Sequence, residues 1–183
     1  MKRKLGVIGL LLGCLVLVMP VRAAETNALA GRMGVYDSRV VAYAWFWSDA
    51  HQAKLKEQMA AARSAKQAGH EAKLKEYSAA LSAEQDQMHR EVFSTASADE
   101  ALAALKSRIP EIEKAAGVPN LVSKWDEPSL SNYKGVEKVD VTDKLVRAFF
   151  NPTDKQSKMI EGIKKSDPLP LEKCNELIQK GKI

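Results

Sequence analysis

Met33-Gly34-Val35-Tyr36-Asp37 is a β-like stretch that runs straight into an aromatic helix start, Tyr43-Ala44-Trp45-Phe46-Trp47, and then into about fifty residues of helix-forming composition. This junction predicts a small sheet from which a helical hairpin projects. The return leg agrees: Asn120-Leu121-Val122-Ser123-Lys124-Trp125 has the β-branched and aromatic content of a strand and can pair beside the first without a second domain. The expected fold class is therefore α+β and mostly helical, a small β-sheet body with an antiparallel helical hairpin and extra C-terminal helices.

The hairpin is expected over about residues 49–93. From Asp49 to Ala68 the chain is rich in Ala, Lys, Gln and Glu with no Pro or Gly, and Gly69 interrupts it. Beyond His70, the residues Leu74, Tyr77, Leu81, Met88 and Val92 recur at spacings that make a narrow apolar seam. A fold at Gly69-His70 sets Met59 near Leu81 and Ala62 near Tyr77, small against large. Charge agrees, because His51 to Lys75 holds six Lys and Arg against two Glu, whereas Glu76 to Glu100 holds six acids against one Arg. Each arm of about 20 residues reaches roughly 30 Å as a helix.

After the hairpin, Ser97 and Glu100 have the spacing of a capping box, and the helix they open should be bent or divided by Pro110 and stopped by Gly117 in a left-handed turn. Tyr133 to Val139 can add a short edge strand. Thr142 can cap a helix through Phe150, and Asn151-Pro152 can start another by placing proline at a first helical position. Asp167-Pro168-Leu169-Pro170 reads as extended and Leu171 to Gln179 as a short final helix. No internal repeat or low-complexity linker appears, so residues 25–183 are read as one domain with a C-terminal extension over about 151–183.

Lys2-Arg3-Lys4, an apolar run from Leu5 to Met19, and Val21-Arg22-Ala23-Ala24 have the three parts of a secretory signal peptide, cleaved near residue 24. The run is about 15 residues where a membrane-spanning helix needs about 20, so no integral membrane segment is expected after cleavage. Leu11-Leu12-Gly13-Cys14 also resembles a lipoprotein box, with Cys14 as the alternative acylation site. The expected location is periplasmic or secreted. The chain's formal charge of +5 misleads, since Lys2, Arg3, Lys4 and Arg22 leave with the signal and no acid goes with them, which leaves about +1. Global basicity therefore gives no argument for a nucleic-acid partner. Cys174 becomes the only cysteine of the mature chain, so no internal disulfide can form; it reads as a packed apolar residue or a lone thiol.

Chemistry is sparser. Tyr43, Trp45, Phe46 and Trp47, with Trp125 on the neighbouring strand, can line an apolar pocket or form the core and a subunit contact. Arg63, Lys66, Lys73 and Lys75 make a basic tip at the bend, either a partner-binding surface or a solvated helix end. His51 and His89 would face each other near the sheet if the chain bends at His70, which makes a two-histidine metal site with Asp49, Asp86 or Glu91 conceivable; solvated or capping histidines are the alternative. Asp37-Ser38-Arg39 follows the first strand where parallel α/β enzymes often carry ligands, but no Gly-rich partner accompanies it. Phosphate-loop, dinucleotide and paired-cysteine motifs are absent, so no cofactor is expected.

With strand, hairpin, strand and helix in order, the chain from Met33 to Phe150 resembles the Skp/OmpH-like family of periplasmic chaperones. The likeness rests on Met33-Gly34-Val35-Tyr36-Asp37 as opening strand, on the Ala/Lys/Gln-rich hairpin, on Ile112 to Val122 returning to the sheet, and on Val139-Asp140-Val141-Thr142-Asp143 opening the last family helix. The resemblance implies an exported, non-enzymatic holdase that trimerises through its sheet body and holds unfolded envelope polypeptides between basic-tipped arms. On that reading Arg63, Lys66, Lys73 and Lys75 attract acidic partners, while Tyr43, Trp45, Trp47 and Trp125 bury apolar surface. Two other readings are an exported metal-dependent enzyme using His51 and His89, and a small-ligand binder using Trp47 and Trp125.

Overall fold

Strand β1 (Arg32–Tyr36) lies at the centre of a three-stranded sheet in a computed structural model that describes residues 31–183; the signal-like segment and Cys14 lie outside the described residues. β2 (Leu121–Ser123) and β3 (Glu137–Asp140) flank it in the order β2-β1-β3, and both pair parallel to β1. Gly34 faces Leu121 on one side and Val139 on the other. Parallel neighbours cannot be joined by tight turns, so each link crosses over through helices. The first passes through α1 (Ser38–Phe46), α2 (Asp49–Gln67), α3 (Glu71–Phe93), α4 (Asp99–Ala104) and α5 (Ile109–Ala116), the second through α6 (Glu127–Ser131). α7 (Thr142–Phe149), α8 (Asp154–Lys165) and α9 (Leu171–Gln179) follow β3, and the fold is mostly helical.

α1 is the pillar of the core. Every residue from Ser38 to Phe46 except Trp45 is buried, as expected of a helix covered on all sides. It packs against α3, α4, α7 and α8, and Val40, Val41, Ala44 and Phe46 share one apolar cluster with Leu145, Val146, Ile160 and Ile163. At its end the chain breaks and restarts: Trp47 N–H donates to Tyr43 O, and the Ser48 hydroxyl accepts from His51 N–H to cap α2. Gly69 turns the chain at φ +67°, and α3 then lies against α2.

Several local expectations are met. Gly117 ends α5 in the left-handed region at φ +65°, Pro110 divides the helical stretch by sitting in the first turn of α5, and the last helix covers Leu171–Gln179. Others are corrected. β2 stops at Ser123, because Ser123 Oγ and Ser123 O accept from the N–H groups of Trp125 and Asp126 and turn the chain. Ser97 does not cap: Ala98 precedes α4 without a side-chain bond. Thr142 stands at the start of α7, but its hydroxyl accepts from Asp37 N–H instead. Thr153, rather than Pro152, starts α8, through a reciprocal capping box with Gln156. Among the described residues no helix is long and apolar enough to cross a membrane.

Gly34 is needed for the close approach of β1 to β2. A Cβ there would lie 2.7 Å from Leu121 Cδ2 and 3.0 Å from Asn120 O, a neighbour that cannot rotate away. Gly34→Ala is expected to lower stability by about 1–3 kcal/mol in urea denaturation, and an unchanged midpoint would show that the strands can separate without cost.

Candidate functional site

Three adjoining hollows form one apolar trough along α2, α3 and α8. The first, about 360 Å³, lies between α2 and α3 and is walled by Trp47, Leu55, Met59, Leu81 and Met88. The second, about 210 Å³, shares Phe46, Trp47 and Met88 with it and adds Phe93 and Met159. The third, about 480 Å³, shares Val92, Phe93, Met159 and Ile163 with the second and ends at Leu169 and Ile183. Trp47 is 51 % exposed, Phe93 46 % and Met159 52 %, large side chains that a closed core would cover. Their contiguity makes them an apolar surface rather than scattered residues.

Among the polar residues of this lining is a histidine–glutamate contact. His51 is almost fully buried, and its Nε2 lies 3.3 Å from Glu84 Oε1, close but not aligned as a hydrogen bond. Burial pushes the imidazole below its ordinary pKa, while the Glu84 charge opposes that shift only in part. His51 is therefore neutral at neutral pH and its Nδ1 has no partner among the described residues. Its ring is held edge-on between Trp45 and Phe46, with centroids 5.2 and 4.9 Å away. Lys54 approaches the other oxygen of Glu84 at 3.7 Å. Further along α3, the carboxyl of Glu91 is pushed up to about 7 by burial, with Glu100 and Asp99 adding to the shift and a hydrogen bond from Gln87 opposing it.

Asp37-Ser38-Arg39 sits at the carboxyl end of the central strand, as the sequence suggested, and it is a saturated clamp. The Asp37 carboxylate accepts from Arg39 N–H, Arg39 Nε and Trp125 Nε1 on one oxygen, and from Arg39 Nη2 and Lys124 Nζ on the other. Five donors occupy the roughly four lone-pair positions of a carboxylate, leaving none for substrate. Burial alone would raise this carboxyl, but hydrogen bonds from Arg39, Lys124 and Trp125 outweigh it and hold it below the usual range. Arg39 also donates to Ser166 O at 2.8 Å. Such a group neither takes up a proton readily nor reaches solvent, so it serves as an anchor.

The other sequence-flagged residues divide. Tyr43 and Phe46 are buried, Trp45 is half-buried against Phe149, and Trp47 is exposed on the trough. Trp125 is not brought to them; its indole lies under Arg39 and Lys124 and lines a different hollow. Arg63, Lys66, Lys73 and Lys75 are all exposed around the α2–α3 bend. His51 meets Glu84 rather than His89, whose ring lies beside Phe93, and among the described residues no group of three His, Cys, Asp or Glu side chains could hold a metal ion. Cys174 is fully buried, its thiol facing His89 O at 3.7 Å. Sequence reasoning missed Phe93, Met159 and Lys124. Phe93 and Lys124 had a readable signal, the first as a large apolar residue one position off the α3 seam, the second as a cation next to a tryptophan after a strand. No family model matches the chain, and neither a curated protein nor a solved structure does.

Glu91 gives the stability of the fold a pH dependence. Because its folded pKa lies above the unfolded value, its contribution is complete below about pH 4.5 and is lost as pH rises through about 7, where the unfolded chain has ionised and the folded one resists. His51 acts in the opposite direction, its contribution being lost as pH falls below the unfolded value of 6.5. Glu91→Gln should remove the alkaline loss and gain up to about 3 kcal/mol over the parent above about pH 7 in urea denaturation. Parallel stability–pH curves for the two proteins would contradict this.

Proposed function

We propose that the protein is an exported, non-enzymatic holdase that keeps apolar, unfolded envelope polypeptides from aggregating. The observation that carries this reading is the continuous trough whose rim leaves Trp47, Phe93 and Met159 exposed. A folded surface seldom leaves such side chains together without a partner. Methionines at positions 59, 88 and 159 line it, and their flexible thioethers adapt to side chains of varied shape, which suits many clients better than one.

In this reading α2 and α3 form an antiparallel helical hairpin, an arm beside which a client segment lies, and the C-terminal helices are an extension that lengthens the apolar wall through Met159 and Ile163. The cations Arg63, Lys66, Lys73 and Lys75 at the bend, without an ion pair among the described residues, raise the encounter rate with acidic clients, a salt-sensitive contribution. The likeness of Met33 to Phe150 to the Skp/OmpH-like chaperones adds the expectation of a trimer assembled through the sheet body, and the charged, apolar and small-residue order of the first 24 residues adds export.

Suppression of aggregation of an unfolded outer-membrane barrel tests the trough. Trp47→Ser combined with Phe93→Ser should weaken suppression by about tenfold or more, since two large aromatic contacts are removed. Equal suppression by parent and variant would sink the reading. Assembly is tested separately by light scattering over a concentration series: the expected mass rises to three chains, and a single-chain mass at every concentration would remove the trimer while leaving the trough standing.

A further inference from the structure

Two of the residues lining the first hollow, the one of about 360 Å³ between α2 and α3, carry buried polar atoms that nothing satisfies. One atom is Nδ1 of His51, a residue only 3 % exposed; the other is Oε1 of Glu84, whose side chain is 16 % exposed. Neither has a hydrogen-bond partner among the described residues, whereas buried polar side chains ordinarily find one. Both atoms are acceptors. A carboxylate oxygen can be nothing else, and in the neutral imidazole the proton is drawn to Nε2, 3.3 Å from that carboxylate, which leaves Nδ1 with a lone pair.

The rest of the lining says what kind of molecule brings the missing donors. Leu55, Met59, Leu81 and Met88 make the wall apolar. The volume is roughly ten times a water molecule's share of the liquid, so one bound water leaves most of that wall bare, and it falls at the lower end of the range of small-molecule sites. Glu84 is the one acidic residue of the lining, and no lysine or arginine lines it. Lys54 approaches the other oxygen, Oε2, from an exposed position at 3.7 Å, a pair too long and too wet to neutralise the carboxylate. Gln52 gives its amide N–H to Phe46 O, which leaves its carbonyl oxygen as a further acceptor.

We propose that this hollow binds a linear primary alkylamine in its ammonium form, the head donating to Glu84 Oε1 and His51 Nδ1 and the chain lying along Leu55, Met59, Leu81 and Met88. An ammonium carries three donors and no acceptor, the complement of these polar atoms. Its hydrogen bond to a carboxylate is of the stronger, charge-assisted kind. Each methylene taken out of water against the apolar wall adds to binding. A fatty acid would set a like charge against Glu84, and an alcohol would bring a single donor without charge. The proposal goes beyond the holding of clients and does not depend on it, since a small amine can occupy this end of the trough with no polypeptide present.

The experiment is a titration of the protein with hexylamine at neutral pH, followed through methionine methyl chemical shifts. Saturable shifts are expected at Met59 and Met88, and none at Met159, which lines only the neighbouring hollows. Hexanol, with the same chain and no charge, should bind about tenfold or more weakly, and hexanoate should give no saturable shift. Glu84→Gln keeps the shape of the side chain and should weaken hexylamine by about tenfold or more while leaving hexanol unchanged. Because hexanol reads the same wall, its unchanged affinity separates a lost contact from a folding defect, and the comparison of the three head groups in the parent needs no variant. Equal affinities for hexylamine and hexanol in the parent, saturable binding of hexanoate, an affinity for hexylamine unchanged in Glu84→Gln, or shifts at Met159 equal to those at Met59 would each overturn the proposal and leave the holding of clients standing.

Discussion

Asp37 joins more of this molecule than any other side chain described. Its carboxylate takes donors from α1 through Arg39 and from the chain beyond β2 through Lys124 and Trp125, its backbone N–H reaches Thr142 at the start of α7, and Arg39 extends the set to Ser166 at the end of α8. Taking a carboxylate out of water costs several kcal/mol unless other groups replace its hydration, and here five donors do so. Because a buried pair of this kind is strongly destabilised when one partner moves away, the ends of β1 and β2 and the starts of α1 and α7 are held in one geometry rather than in a family of near-equivalent packings. Specificity of arrangement, more than net stability, is what such a network supplies.

That constraint decides where the apolar surfaces go. α1 is fixed at its first turn and covered by α3, α4, α7 and α8, so its length sets the thickness of the body. α2 can begin only where α1 ends, and the Ser48 cap restarts the helix there. The hollow between α2 and α3 and the one beneath Phe93 both open at this junction. Trp125 joins that clamp to a separate hollow, which it lines with Tyr36, Asp99 and Asp126.

What the sequence made readable was local. The opening strand, the break at Gly69, the left-handed stop at Gly117 and the final helix all rest on signals within a few residues: β-branched runs, a glycine at positive φ, and apolar spacing. What it hid was polar and distant. Thr142 reads as a helix cap until its hydroxyl is seen 105 positions from the Asp37 N–H that it serves, and Trp125 reads as a strand residue until its indole is seen on a carboxylate 88 positions away. Ser123, Trp125 and Asp126 then turn the chain where β-propensity alone would have continued the strand. His51 likewise met Glu84 instead of His89, because hairpin symmetry counts residues whereas helix packing is decided by which faces are apolar. The aromatic root was legible as a cluster, but not the division of its members between core and surface.

That division follows from the break after α1. Along a continuous helix Trp47 would stand one turn beyond Tyr43 on the same covered face, and the two rings do remain in contact at 6.0 Å. The chain leaves the helix at Trp47, however, and Ser48 sends α2 away along α3, so nothing from the body continues over the indole. Trp45 and Phe46 point back into the body, where they enclose the neutral His51 ring. A charged imidazole between two aromatic edges would lose its hydration without gaining an aligned acceptor, so burial keeps His51 uncharged and the root of the trough apolar at neutral pH. The apolar root of the trough is thus maintained by the same burial that leaves the His51 ring without a full set of partners among the described residues.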